Sequence, residues 1–265
     1  MPLPAEPSPR RAYDEPPMNF QRYSRRRLLR QAGLAASGGL LLPAARAAEA
    51  APTAAPKAGA LNVRDFGAAG DGVKDDTSAF AAALKAAGEM GGNTVFVPRG
   101  NYLIQGRLDV PENVVLEGGF RAPTARTQNR GSTLLAVAGA SQPAGPPFIQ
   151  LHQNSTLHGL TIFYPEQKQT NPPVAYPWTV RGTGDNCSLV DVLLVNPYQA
   201  VDLGTTPAGR HYIRGLYAQP LYRGLFIDQC FDVGRVEDVH LWPFWGGWEG
   251  DLGQFTREQG IAFIL

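Results

Sequence analysis

Pro197, Pro220 and Pro243 recur at intervals of 23 residues, and each closes a short apolar segment. Those segments are Ser188–Asn196, Tyr212–Gln219 and Arg235–Trp242, and each proline leads into a turn with an aromatic residue, at Tyr198, Tyr222 and Phe244. A second apolar segment follows, at Ala200–Gly204, Gly224–Gln229 and Gly260–Leu265. A looser copy precedes them, with 157–164, then Pro165, then Trp178–Gly182. A unit of this length, built of strands without a helix, cannot bury its own apolar face. Stacking successive units supplies the missing face. The pattern predicts a solenoid of parallel strands about 4.8 Å apart, in which equivalent residues form columns. An antiparallel sandwich would need two-residue hairpin turns, and no periodic signal of that kind appears from 155 onward.

The columns can be written down. Leu157, Leu189, Ile213 and Val236 form one apolar column, and Leu160, Val192, Leu216 and Val239 form another. Between them run Gly159, Asp191, Gly215 and Asp238. Glycine and aspartate tolerate left-handed backbone better than most residues, so this column is expected to be a corner repeated in each coil. Asp191 and Asp238 are read as corner residues rather than as carboxylates placed for chemistry.

Upstream, residues 62–104 describe a short strand, a glycine-bent turn, an amphipathic helix and a buried strand. Asp75 or Asp76 is placed to cap a helix beginning near Thr77. Phe80, Ala83, Leu84 and Ala87 then share one face. The loop 67–72 lacks the Gly-Lys-Ser/Thr ending of a phosphate cradle and is read as a turn. The elements Asp65-Phe66-Gly67, Gly70-Asp71-Gly72, Asp75-Asp76-Thr77 and Gly91-Gly92-Asn93-Thr94-Val95-Phe96-Val97-Pro98, in this order, resemble the N-terminal cap of the pectate lyase superfamily and of the glycosyl-hydrolase-family-28-like, rhamnogalacturonase-type proteins. The resemblance implies a mainly β chain, a right-handed single-stranded parallel β-helix with an N-terminal helical cap, acting on a polysaccharide. The helix would cover the open end of the stack.

The hydrolytic members carry Asn-Thr-Asp, Asp-Asp, Gly-His-Gly and Arg-Ile-Lys motifs; the one Asp-Asp here, Asp75-Asp76, is placed at the helix cap, and the other three do not occur. Candidate chemistry is therefore read from position. The segments 165–177 and 243–259 are long and fall at one corner of the coil, so they are expected to flank a groove as two walls. The second carries Phe244, Trp245, Trp248, Glu249, Asp251 and Phe255. Aromatic rings beside carboxylates suit sugars. On the outer face of the first strands the column runs Thr161, Leu193, Tyr217, His240. Asp202 and Asp228 are expected to point outward from the second strands. The candidate catalytic residues are Asp228, Glu249, Asp251 and His240; the candidate substrate-binding residues are Tyr217, Trp242, Trp245, Trp248 and Arg223. Arg214, Arg223 and Arg235 could meet uronate carboxylates, and no specific partner is legible for any of them. Hydrolysis of a uronate-containing polysaccharide is expected ahead of lyase or epimerase chemistry, because acids outnumber arranged bases. A non-catalytic carbohydrate-binding or adhesive β-helix is the rival class. No His/Cys metal spacing and no cofactor motif are evident.

Charge divides the chain. Residues 1–47 hold eight arginines and three acids, a net of +5, and the remainder holds 16 basic and 20 acidic side chains, a net of −4. The acidic remainder gives no footprint for nucleic acid and none for anionic membrane surfaces. Ser24-Arg25-Arg26-Arg27-Leu28-Leu29-Arg30, an apolar run to Leu42 and Ala45-Arg46-Ala47 look like a twin-arginine export signal. The expected organisation is a signal with its N-terminal extension over 1–47, an Ala/Pro-rich linker over 48–60 and the β-helix over 61–265. The expected partners are a polysaccharide and, for the precursor, the twin-arginine export machinery, with a periplasmic or extracellular destination. Cys187 and Cys230 are placed two coils apart at one corner, too far to bridge. Because the apolar segment Gly260–Leu265 ends the sequence with nothing to cover it, the β-helix is expected to be incomplete at its C-terminus.

Overall fold

The computed structural model describes residues 59–119, 131–167, 170–242 and 252–265. Chain order begins with β1 (Leu61–Asn62), a 3-10 turn (Val63–Phe66), β2 (Asp71–Asp75) and the helix Thr77–Glu89. Then come β3 (Thr94–Val97), β4 (Gly100–Ile104), β5 (Leu108–Val110), β6 (Val115–Gly118), β7 (Ser132–Ala136) and β8 (Ile149–Leu151). Next are β9 (Thr156–His158), β10 (Thr161–Phe163), β11 (Trp178–Gly182), β12 (Ser188–Val195) and β13 (Gln199–Leu203). The last are β14 (Tyr212–Ala218), β15 (Arg223–Ile227), β16 (Arg235–Leu241), a helix at Leu252–Gln259 and β17 (Ile261–Ile264).

Each described strand pairing is parallel, and the strands form three ladders. The first runs β1, β3, β6, β9 and then the opening halves of β12, β14 and β16. The second runs β2, β4, β7, β10 and then the closing halves of the same three strands. The third runs β5, β8, β11, β13, β15, β17. This is a parallel β-helix. The predicted columns are present: Leu157 pairs with Leu189, Leu189 with Ile213 and Ile213 with Val236. Leu157, Leu189 and Ile213 have no exposed surface.

The first and second ladders meet at the predicted corner. Gly159, Asp191, Gly215 and Asp238 have φ of 69°, 52°, 66° and 51°. Left-handed backbone costs an ordinary L-residue about 1–2 kcal/mol, and glycine and aspartate carry it with less penalty. A further corner, ahead of the first ladder, was not legible as a column. Asn113, Asn154 and Asn186 are left-handed there (φ 61°, 59° and 62°). Their amides form a ladder, Asn154 donating to Asn113 at 3.0 Å and Asn186 to Asn154 at 2.7 Å.

The helix Thr77–Glu89 lies where expected, with Phe80, Ala83, Leu84 and Ala87 buried in the common core. The two aspartates before it divide their work. Asp75 accepts from Thr77 N at 3.0 Å, whereas Asp76 makes no cap bond. Asp76 is fully buried and accepts from Ala69 N and Gly70 N at 2.7 and 3.0 Å, so it fastens the glycine loop.

Several expectations change. The segment read as one strand over 157–164 is two strands split at Gly159. Residues 243–251 lie outside the described residues, but 252–259 is a helix and not part of a loop. Both cysteines are free, as expected, yet the register places Gly234, not Cys230, two coils below Cys187, since Ser188, Tyr212 and Arg235 pair in sequence.

Candidate functional site

The outer column of the second ladder holds the candidate site. Its members are Asn101, Thr133, Thr161, Leu193, Tyr217 and His240, each paired to the next. Thr133, Thr161 and Leu193 are buried, whereas Tyr217 is half-buried and His240 is exposed. The column therefore opens to solvent in the last two coils. There a cleft of about 470 Å³ is lined by Asp191, Arg214, Gly215, Tyr217, Asp238 and His240, among others. The Tyr217 and His240 rings are 6.1 Å apart, and the Trp242 ring stands edge-on to His240 at 5.2 Å. Of the predicted site residues, the fold brings these three together.

The charged side chains come from the corner and from its neighbour on the first ladder. Arg214 Nε lies 3.7 Å from Asp238 Oδ2. Tyr212 first, and Asp238 after it, raise the Arg214 pKa above the ordinary arginine value, so the guanidinium is a permanent cation. Both members of the pair are more than half exposed, and such a pair contributes little stability. Arg214 thus has the partner that the sequence did not reveal. The two corner aspartates were read as structural; they are corner residues that also line the cleft. A left-handed corner turns its side chain outward beside the strand, and that was the available signal.

The other candidates are elsewhere. Asp228 is exposed beyond the end of β15 and accepts from Gln229 N at 2.7 Å; it lines neither this cleft nor the pocket beside Trp242. Asp202 occupies the outer column of the third ladder but is fully buried. Arg181 Nε donates to it at 2.7 Å, and Thr205 and Gly204 complete its bonds. Arg223 lies over the Tyr222 ring, 4.9 Å from its centre, and its Nε is buried without a hydrogen-bond partner. Trp245, Trp248, Glu249 and Asp251 fall outside the described residues, and so does Phe244. Phe255, counted among the sugar-facing aromatics, is buried 6.3 Å from both Tyr198 and Tyr222, whose rings lie 5.0 Å apart, tilted by 31°. Its ring packs the helix onto the coil. The described part of the first expected wall is clamped down: Tyr164 and Tyr176 are buried edge-on at 4.8 Å. Gln167 and Val174 exchange hydrogen bonds of 2.8 and 3.0 Å.

Residues 60–198 match the family described as rhamnogalacturonase A/epimerase, pectate lyase-like, which is more than half of the chain. The chain belongs to this family. Among its relatives, the mannuronan C5-epimerase AlgE5 of Azotobacter vinelandii is 58% identical over 64 residues, 22% of this chain and 6% of that protein. Alginate lyase 7 of the same organism is 56% identical over 55 residues, 21% of this chain and 6% of that protein. An exopolygalacturonase of Arabidopsis thaliana is 35% identical over 251 residues, 77% of this chain and 53% of that protein. In each case the match spans less than two thirds of the relative's own length. These three relatives are named for different activities, an epimerase, a lyase and an exopolygalacturonase.

Proposed function

We propose that this chain acts on a uronate-containing polysaccharide by removing the proton at C5 of a uronate in the Tyr217–His240 cleft. The observation that carries the reading is the register of β14 and β16, which sets Tyr217 and His240 side by side in one open cleft with Arg214. Proton abstraction beside a carboxylate needs a base, a proton donor and a cation for the charge that builds on the carboxylate. His240 is the base. Arg214, released in part from Asp238, meets the uronate carboxylate. The Tyr217 hydroxyl donates a proton, to the glycosidic oxygen as the C4–O bond breaks in elimination, or to the opposite face of C5 in epimerisation. The epimerase and lyase among the relatives support the same substrate class. Hydrolysis was the first choice from the sequence; of the acids considered for it, Asp228 lines neither cleft, Asp202 is buried against Arg181, and Glu249 and Asp251 lie outside the described residues.

One observation favours hydrolysis as a second reading. Asp191 and Asp238 occupy one column two coils apart, about 10 Å between backbones. Inverting glycosidases hold their carboxyl groups about 6.5–9.5 Å apart. The assay that separates the readings follows polygalacturonate and alginate for unsaturated uronate absorbance, for C5 inversion by proton NMR and for new reducing ends. We expect unsaturation or inversion, and a loss of at least about 100-fold in kcat/KM for His240→Gln and Tyr217→Phe with unchanged melting. New saturated reducing ends, formed undiminished by both variants and lost in Asp191→Asn and Asp238→Asn, would replace the proposal by hydrolysis.

A further inference from the structure

Past His240 the strand β16 runs into a second pocket of about 210 Å³. The backbone N–H of Trp242 donates to Ala218 O at 2.9 Å, continuing the register in which Ala218 pairs with Leu241, so Trp242 follows Gln219 in the next outer column. The pocket is lined by Trp242, Tyr222, Gln219 and Thr256, with Pro220, Leu241 and the segment Gly260 to Ala262 completing it. Trp242 is 40% exposed and Gln219 is 2% exposed. Unlike the neighbouring cleft, this lining contains no charged side chain among the described residues.

The Thr256 hydroxyl oxygen is buried without a hydrogen-bond partner. Burying a hydroxyl unsatisfied costs about 1–3 kcal/mol, and most such groups in folded proteins have found a partner. Thr256 is also held firmly. It follows Phe255, whose ring is packed on Tyr198 and Tyr222, and its own carbonyl accepts from Gly260 N at 2.9 Å. An apolar ring wall, a buried amide and an unsatisfied hydroxyl are what a pyranose requires: an aromatic surface for its C–H face and polar groups for its hydroxyls.

We propose that this pocket is a second saccharide subsite, holding the sugar ring adjacent to the uronate that reacts in the Tyr217–His240 cleft. The proposal rests on the proton-abstraction reading above and extends it to the direction of the bound chain. The polysaccharide lies along β16, across the helix axis, with Trp242 between the two subsites. Because the described residues of the second pocket present no cation, it binds through ring hydroxyls and accepts a neutral sugar as readily as a uronate.

The test uses the full chain and oligosaccharides of defined length from polygalacturonate and alginate. The kcat/KM should rise in a step at the length that first reaches the pocket. Thr256→Val, which keeps the shape and removes the hydroxyl, should shrink that step about 3–10-fold, and Thr256→Ser should restore it. Trp242→Ala should shrink it about 10-fold or more. A step untouched by Thr256→Val and Trp242→Ala, or reduced only as far as melting falls, would overturn the subsite while leaving the reaction standing. Failure of the unaltered protein to turn over either series would overturn the reaction, and the subsite with it, before any variant is made.

Discussion

Asp202 has no exposed surface, and its carboxylate accepts four hydrogen bonds, one of them charged from Arg181 at 2.7 Å. Removing one member of a buried ion pair strands the other, at a cost of about 3–5 kcal/mol. Asp202→Ala should lose that much in denaturant unfolding while the folded fraction keeps its kcat; a smaller loss, below about 1 kcal/mol, would mean that Arg181 simply swings to water. A second residue sets an alkaline limit. Burial pushes the Cys187 thiol up to about 11 from 9.0. The folded state therefore keeps a proton that the unfolded chain gives up. That contribution is whole below pH 9 and is lost as pH climbs toward 11, up to roughly 2–3 kcal/mol. Burial also raises the Tyr102 and Tyr164 phenols, which add to the alkaline loss and remain in any cysteine variant. Cys187→Ala should flatten the fall in stability between pH 9 and 11, measured as the difference in unfolding free energy across that range. An identical slope in the variant would show that the thiol does not carry it.

At the scale of the element, the corner between the first and second ladders is the most exacting position. Gly215 has φ of 66°, and a Cβ there would sit 2.5 Å from Asp191 Oδ1. Gly215→Val should destabilise by about 2 kcal/mol or more, whereas Asp191→Gly should leave melting almost unchanged. Equal losses in the two variants would mean that the corner does not dictate the residue. This corner was legible in the sequence because its residue types repeat in step with the apolar columns on either side. The asparagine ladder was not, since its members, Asn113, Asn154 and Asn186, stand 41 and 32 residues apart and follow no fixed interval. The site was half legible for the same reason. Tyr217, His240 and Trp242 alternate along periodic strands, so a register could place them. Arg214 and Asp238 meet across coils, where partners depend on the side chains of two strands together. Phe255 misled because its segment was read as a loop, and Asp202 because an outward position was equated with exposure. Helix packing covers the first, and an arginine and a tight turn cover the second.

Over the whole molecule, the last coil differs from those before it. Val236 ends an inward column at 37% exposure, and Ile261 and Phe263 on β17 are 46% and 47% exposed. Parallel strand edges with apolar side chains are templates for further pairing. The chain should associate as concentration rises, followed by light scattering, and Ile261→Lys with Phe263→Lys should suppress that association. Association that persists in the double variant would place the contact elsewhere. Export is proposed from the other end of the sequence: replacing Arg25 and Arg26 by lysine should leave the precursor in the cytoplasm, because the receptor reads guanidinium groups and not charge alone. Unchanged export, measured by fractionation, would remove the twin-arginine reading.

The corner has a genetic consequence. Glycine and aspartate codons differ by one base, and both residues satisfy a left-handed backbone. At 191 and 238 a single base change can therefore remove a carboxylate from the cleft while the left-handed backbone is kept. Descendants of such a chain could explore different electrostatic linings in unit steps, each step reversible. A saturation library at positions 159, 191, 215 and 238 should return Gly, Asp and Asn among folded clones and little else, with the catalytic preference of each clone following the number and order of its acids.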